Sequence, residues 1–185
     1  EQTGTLALDA GLSGDRTIRL VWLNNISATG QDNNLQINGL SVTKPAAVTP
    51  VPAPVVVSSV SGASFLQATN TNTLNLYRWR VDATTGLLYS YVDANDNPAD
   101  SVSAGAAYYS LDFGSTSEAR ELELSVQNHS YNGLPPVTNS VFNVNAQVCL
   151  KTSCATDSDW TSLGAMNITA SATEQTGRLA VEAGI

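Results

Sequence analysis

Residues 1–12, EQTGTLALDAGL, and residues 174–185, EQTGRLAVEAGI, are two versions of one segment. Eight of the twelve positions are identical, and Leu8/Val181, Asp9/Glu182 and Leu12/Ile185 are conservative exchanges. Self-similarity at a fixed offset marks a repeat architecture, in which one supersecondary unit recurs along the chain. The chain therefore reads as one repeat of a tandem array followed by the first strand of the next copy. Within each version apolar residues alternate with polar or small ones, so Leu6 and Leu8, and likewise Leu179 and Val181, share a face of a β-strand. Each version ends in Ala-Gly, a turn signal.

The rest of the sequence repeats this pattern of short strands and turns. Thr17–Leu23 and Leu35–Val42 read as strands, separated by an Asn-, Gly- and Asp-rich loop. Further strands are expected at 55–60, 74–81, 87–93, 106–113, 120–127, 141–150, 165–172 and 176–182. Turn signals fall between them at Thr84–Gly86, Asn95–Pro98, Gly114-Ser115, Asn132-Gly133 and Gly164. No stretch carries a convincing 3.6-residue period. Charged residues make up 13% of the chain, about half the usual share. The polar surface must then come from Ser, Thr, Asn and Gln, which favour strands and turns over helix interiors. The expected fold is all-β, a jelly-roll-like antiparallel β-sandwich, completed either by its own strands or by those of a neighbouring copy.

Four prolines between Pro45 and Pro54 forbid ladder pairing and favour extended chain. Residues 44–54 read as a semi-rigid interdomain linker. It separates residues 1–43, strands that complete a sandwich (own or neighbouring), from residues 55–185, the main sandwich ending in the repeated strand. Three strands are too few for an independent core. Residues 55–185 would lack their last two strands unless 1–43 of this or the next copy supplied them. Strand donation of that kind is heterologous and builds open, head-to-tail filaments. The assembly residues are Leu6, Leu8, Ile18, Leu20 and Trp22 with Leu179 and Val181, and the expected partners are copies of the chain itself.

The order Thr3-Gly4-x-Leu6-x-Leu8-Asp9, Thr17-Ile18-Arg19-Leu20 and Asp32-Asn33-x-Leu35-x-Ile37-x-x-Leu40-x-Val42 resembles the last strands of a jelly roll. It is similar to the carbohydrate-binding-module and galactose-binding-like sandwiches of bacterial secreted proteins. The resemblance covers about forty residues and implies a sandwich fold, a glycan as an alternative partner, and a structural calcium held by an acidic residue of the final strand. Gln36 occupies the nearest equivalent place, so that ligand is missing here.

The net charge of −8 and the scatter of two lysines and six arginines exclude a duplex nucleic acid partner. No apolar run is long enough to span a membrane. The chain opens Glu1-Gln2-Thr3 without Met or leader and is expected to be processed or cut from something longer. Cys149 and Cys154 are too few for a tetrahedral metal site; they read as a disulfide closing a small loop, which implies an oxidising, extracellular compartment. The densest oxygen cluster, Asp93, Asn95, Asp96, Asn97 and Asp100, is a candidate calcium site, against the plain reading of a polar turn. Asp157 and Asp159 read as a solvated loop before a second cation site.

Trp22, Trp79 and Trp160, with Tyr77, Tyr89, Tyr91, Tyr108 and Tyr109, are candidates for a sugar-stacking platform. Aromatics in strands are more often core, and most of these are expected there. Asn25, Asn128 and Asn167 open glycosylation sequons. The catalytic inventory is thin. His129 is the lone histidine, no Gly-x-Ser-x-Gly elbow is present, and Glu121 with Glu123 fits an exposed strand face as well as a glycosidase pair. The expected role is a non-enzymatic structural subunit or repeat of a bacterial cell-surface filament or adhesin. The alternative is a carbohydrate-binding module.

Overall fold

A computed structural model describes residues 5–6, 14–23, 27–44, 55–68, 78–91, 106–115, 119–130 and 133–181. These residues form an all-β fold of two packed sheets. In chain order the strands are β1 (Thr5–Leu6), β2 (Asp15–Trp22), β3 (Ser27–Ala28), β4 (Gln31–Asp32), β5 (Leu35–Lys44), β6 (Val55–Ser61) and β7 (Gln67–Ala68). They continue with β8 (Arg78–Val81), β9 (Leu88–Tyr91), β10 (Ala106–Asp112), β11 (Arg120–Asn128), β12 (Val141–Cys149), β13 (Trp160–Thr169) and β14 (Gln175–Val181). The larger sheet runs β1-β14-β11-β5-β9-β8, with β6 also on β5; the smaller runs β13-β12-β2-β10-β7. Among the described residues every ladder is antiparallel except β1 on β14.

Alternation places one face of each strand in a shared core. The smaller sheet contributes Ile18, Leu20 and Trp22 from β2, Tyr109 and Leu111 from β10, Phe142, Val144 and Val148 from β12, and Leu163, Met166 and Ile168 from β13. The larger sheet answers with Leu35, Ile37, Leu40 and Val42, with Leu122, Leu124 and Val126, and with Leu179 and Val181. Trp22 meets Phe142 edge to face, with ring centroids 6.5 Å apart. One end of the sandwich is closed by Arg120, 6% exposed, whose guanidinium donates to the carbonyls of Phe113, Ser115 and Ala119.

Two departures from regular alternation have local causes. In β5 the buried set runs Leu35, Ile37, Leu40, Val42, a phase slip of one residue. The ladder with β11 shifts between Ser125 and Val126, so Asn38 is the extra residue of a β-bulge. Gly62 docks on it: its N–H donates to the Asn38 carbonyl at 2.8 Å. A Cβ on Gly62 would sit 1.7 Å from the Ile37 carbonyl oxygen. The second departure corrects an expectation. Gly164 reads as a turn before a strand over 165–172, yet it lies inside β13, which begins at Trp160. Gly164 has φ +137° and sits at a bulge where the β12 ladder shifts between Ala146 and Gln147. Glycine there serves a strand kink rather than a turn.

The Pro-rich segment, residues 45–54, lies outside the described residues. Its flanks, Lys44 and Val55, are paired neighbours in one sheet. The strands drawn from 1–43 pair within the same chain: β2 lies between β10 and β12, and β5 between β11 and the β6/β9 edge.

Candidate functional site

Where the two versions of the repeated segment are described, they lie side by side. The C-terminal version forms β14, laddered antiparallel to β11 over seven pairs from Gln175 to Val181. The N-terminal version contributes β1, parallel to β14 on its outer edge, with Thr5 opposite Ala180 and Leu6 opposite Val181. By sequence Thr5 corresponds to Arg178, so the two copies are staggered by two residues, an even shift that keeps their period-two patterns in phase.

The position β14 occupies is shaped by reciprocal packing of glycine and aliphatic side chains across the corner of the sandwich. Gly177, Leu179 and Val181 are the buried residues of β14. A Cβ on Gly177 would lie 2.4 Å from Ile168 Cδ1 and 2.6 Å from its Cγ1. A Cβ on Gly164 would lie 2.8 Å from Leu179 Cδ1. Ile168 of β13 thus packs on the bare backbone of β14, and Leu179 of β14 on the bare backbone of β13. The N-terminal copy repeats this set as Gly4, Leu6 and Leu8. Leu8 lies outside the described residues, as does the side chain of Leu6.

Ile18, Leu20 and Trp22 are buried in β2, with ladders filled on both sides, in the sheet opposite that of Leu179 and Val181. Of the assembly residues expected from sequence, those of β2 therefore serve the core, while β14 lies at a sheet margin with its copy beside it. The calcium candidates Asp93, Asn95, Asp96, Asn97 and Asp100 lie outside the described residues. Among the described residues no group of three His, Cys, Asp or Glu is placed to hold a metal.

A second feature lies on the outer face of the smaller sheet. Tyr108, Arg19, Gln147 and Ser162 stand in register across four strands. Arg19 is 3% exposed because the chain after β12 folds over it. Its Nε donates to Gln147 Oε1 and its Nη1 to Asp157 Oδ1, each at 2.7 Å. The Trp160 ring covers the guanidinium at 4.6 Å from the ring centroid. Tyr108 meets Trp160 with centroids 5.4 Å apart and planes tilted by 59°.

The covering loop is fixed at its base by the Cys149–Cys154 disulfide. Beyond it, Asp159 accepts from the Thr156 N–H and hydroxyl at 2.9 Å and pairs with Lys151. The Lys151 ammonium, with the Thr156 donors, holds the Asp159 carboxyl far below the usual range. Of Asp157 and Asp159, read from sequence as a solvated loop in preference to a cation site, Asp157 ties the loop to Arg19 of β2 and Asp159 is bonded within the loop. Between this loop, Tyr108, Trp160 and the start of β2 runs an open groove of about 450 Å³.

The remaining aromatics and carboxylates have structural explanations. Trp22, Trp79 and Tyr109 are core; Tyr77 and the Tyr91 side chain lie outside the described residues. Tyr89 stacks on His129, centroids 3.7 Å apart and planes within 6°. His129 Nε2 lies 3.0 Å from Asp82 Oδ2, and its Nδ1 is buried without a hydrogen-bond partner. No hydroxyl or thiol among the described residues is hydrogen-bonded to that imidazole. Glu121 and Glu123 flank Arg178, each 3.6 Å from the guanidinium. Asn128 is buried, its Oδ1 accepting from the Asn34 N–H at 2.8 Å; Asn167 is exposed on β13.

Adjacent residues of a strand face opposite sides, so the Tyr108-Tyr109 pair already required one outward tyrosine. That signal was available in the sequence, whereas Arg19 as the prop beneath Trp160 was not. Among the described residues no helix is long and apolar enough to cross a membrane. Comparison with family models, curated proteins and solved structures finds no match. Of the fold and family expected from the pattern of residues 3–42, the structure shows the all-β, two-sheet sandwich.

Proposed function

We propose that the chain is a structural repeat of a bacterial extracellular filament or adhesin, in which the repeated segment is the strand that links one sandwich to the next. One observation carries this reading. The N-terminal copy preserves Gly4, Leu6 and Leu8, the counterparts of Gly177, Leu179 and Val181. Those three residues fit the buried position of β14, and an edge contact of two residue pairs does not require them. Burying a Leu or Val side chain is worth about 1.5–3 kcal/mol, so a second segment able to fill that position is a substantial source of cohesion. Because β1 runs parallel to β14, exchanging one copy for the other takes a lateral step of one strand spacing, about 4.8 Å, and a slide of two residues along the strand, about 6.6 Å, with no reversal of the chain. In an array with this period each sandwich meets one such strand at either end. The Cys149–Cys154 bond suits the oxidising surroundings of a surface structure.

The test removes β14. A chain ending at Thr173 keeps the N-terminal copy and leaves its position open. It is expected to fold, as a monomer closed by its own N-terminal strand or as head-to-tail oligomers, seen by near-UV circular dichroism and light scattering. Gly4→Val in the same background is expected to abolish folding, because the added side chain meets Ile168. An unfolded truncated chain, or one indifferent to Gly4→Val, overturns the reading. For the full chain, one fixed monomer mass at every concentration counts against lengthwise joining of separate copies.

A further inference from the structure

We propose that Arg178 selects which copy of the repeated segment closes the sandwich, by supplying the cation that Glu121 and Glu123 face. The inference rests on the reading of that segment as a linking strand and names the residue that decides its choice. Three of the four differences between the copies, Leu8/Val181, Asp9/Glu182 and Leu12/Ile185, keep the character of the side chain. The fourth, Thr5 against Arg178, does not. Arg178 is exposed and lies between the buried Gly177 and Leu179 of β14. The exchange therefore spares the packing of the β14 position and changes what the strand shows to its neighbour on the outer face.

That neighbour is β11. Arg178 stands opposite Glu123 in the ladder, with its Nε 3.6 Å from Glu121 Oε1 and its Nη2 3.6 Å from Glu123 Oε2. The two carboxylates share one strand face, about 6.6 Å apart along the chain, so each adds to the other's need for a cation. The other residues in register beside them are Ala180 of β14 and Ser41 and Thr43 of β5, none of them charged. Among the described residues no second cation lies within ion-pair distance of either carboxylate. With the N-terminal copy in the β14 position, Thr5 would stand in the place of Arg178, and that copy carries no lysine or arginine to take over. Two otherwise matched strands are then told apart by a charge left unpaired against the wrong one. The three side chains are between 21% and 54% exposed. Pairs of this kind are screened by solvent, so the discrimination is about threefold to tenfold at low salt and fades as salt rises. It holds the sandwich closed by its Arg-bearing strand and leaves the Thr-bearing strand at the margin.

The experiment reads which copy occupies the β14 position in the full chain. Thr176 stands opposite Ser125 in the ladder, and Thr3 is its counterpart in the N-terminal copy. A chain carrying Ser125→Cys, Thr3→Cys and Thr176→Cys can close either of two new disulfides in a glutathione redox buffer. Peptide mapping by mass spectrometry gives the ratio of the bond between positions 3 and 125 to that between 125 and 176. Size analysis under denaturing conditions separates bonds within one chain from bonds between two. Arg178→Thr is expected to raise the ratio about threefold to tenfold at low salt, and adding Thr5→Arg to raise it further. Arg178→Lys should stay near the parent ratio. Glu121→Gln with Glu123→Gln should abolish the effect of Arg178→Thr, an outcome that lost packing of the arginine stem would not produce, and about 1 M NaCl should shrink it. An unchanged ratio in Arg178→Thr, or an effect that survives the two Gln substitutions, overturns the selection by Arg178 and leaves the linking reading intact. If no bond between positions 3 and 125 forms in any variant, the N-terminal copy does not enter the β14 position, and both the linking reading and the selection fall.

Discussion

Gly177→Ala tests the packing on which the closing strand depends. The new Cβ would lie 2.4 Å from Ile168 Cδ1, 2.6 Å from Ile168 Cγ1 and 3.3 Å from Met166 Sδ. Two of these separations are far inside van der Waals contact, so Ile168 must leave its rotamer or β14 must lift from β13. Overpacking of this kind costs about 1–3 kcal/mol. Gly177 lies in a strand without a positive φ, so alanine is compatible with the backbone, and the reduced freedom of the unfolded chain returns about 0.4–1 kcal/mol. The net expectation is a loss of about 1–2 kcal/mol. With a urea slope of about 2 kcal/mol per molar, the midpoint falls by about 0.5–1 M. Ile168→Val removes the nearer of the two clashing carbons. Alone it should cost about 0.5–1.5 kcal/mol; in the Gly177→Ala background it should cost little, giving a coupling of about 1 kcal/mol in a double-mutant cycle. A Gly177→Ala protein as stable as the parent, or strictly additive substitutions, would refute the claim that bare backbone at Gly177 is a packing requirement.

Two further outcomes follow from the covering loop and the β8–β9 turn. Replacing both Cys149 and Cys154 by Ser opens a loop of five-residue separation, for which the chain-entropy relation gives a loss of about 2 kcal/mol; a denaturation midpoint unchanged from the oxidised parent would contradict it. The carboxyl of Asp82 is held far below the ordinary value, first by the His129 hydrogen bond and then by the N–H and hydroxyl of Thr85 and the N–H of Thr84. Since the folded state depresses this group, its contribution is complete above the unfolded pKa of about 3.9 and is lost as pH falls towards the folded value. Asp82→Asn should therefore flatten the decline in stability below about pH 4, measured as thermal midpoint against pH; an acid limb of unchanged steepness would count against the assignment.

Much of the sandwich was legible because alternation is a local property. The inward sets of β10, β11 and β12 can be read directly from Ala107/Tyr109/Leu111, Leu122/Leu124/Val126 and Phe142/Val144/Ala146/Val148. Even the β5 bulge is written as the slip from Ile37 to Leu40. What failed was a reading in which one residue type serves two geometries. Gly164 can end a strand or kink one, and only the β12 ladder distinguishes them. The groove was least legible. Trp160 and Tyr108 were visible as aromatics, but their exposure depends on Arg19, whose partners Gln147 and Asp157 lie far along the chain.

The burial of Asn128 bears on where the protein can be made. In a eukaryotic secretory host, oligosaccharyltransferase acts on Asn-x-Ser/Thr while the chain is still emerging, before β11 has paired. A sugar tree on Asn128 would occupy the space its amide needs to reach the Asn34 N–H and would block that corner of the larger sheet from closing. The same addition at Asn167 would project from an exposed strand position and leave the sheets alone. Material secreted by such a host would then sort into a foldable fraction, bare at Asn128, and a retained fraction carrying the tree there.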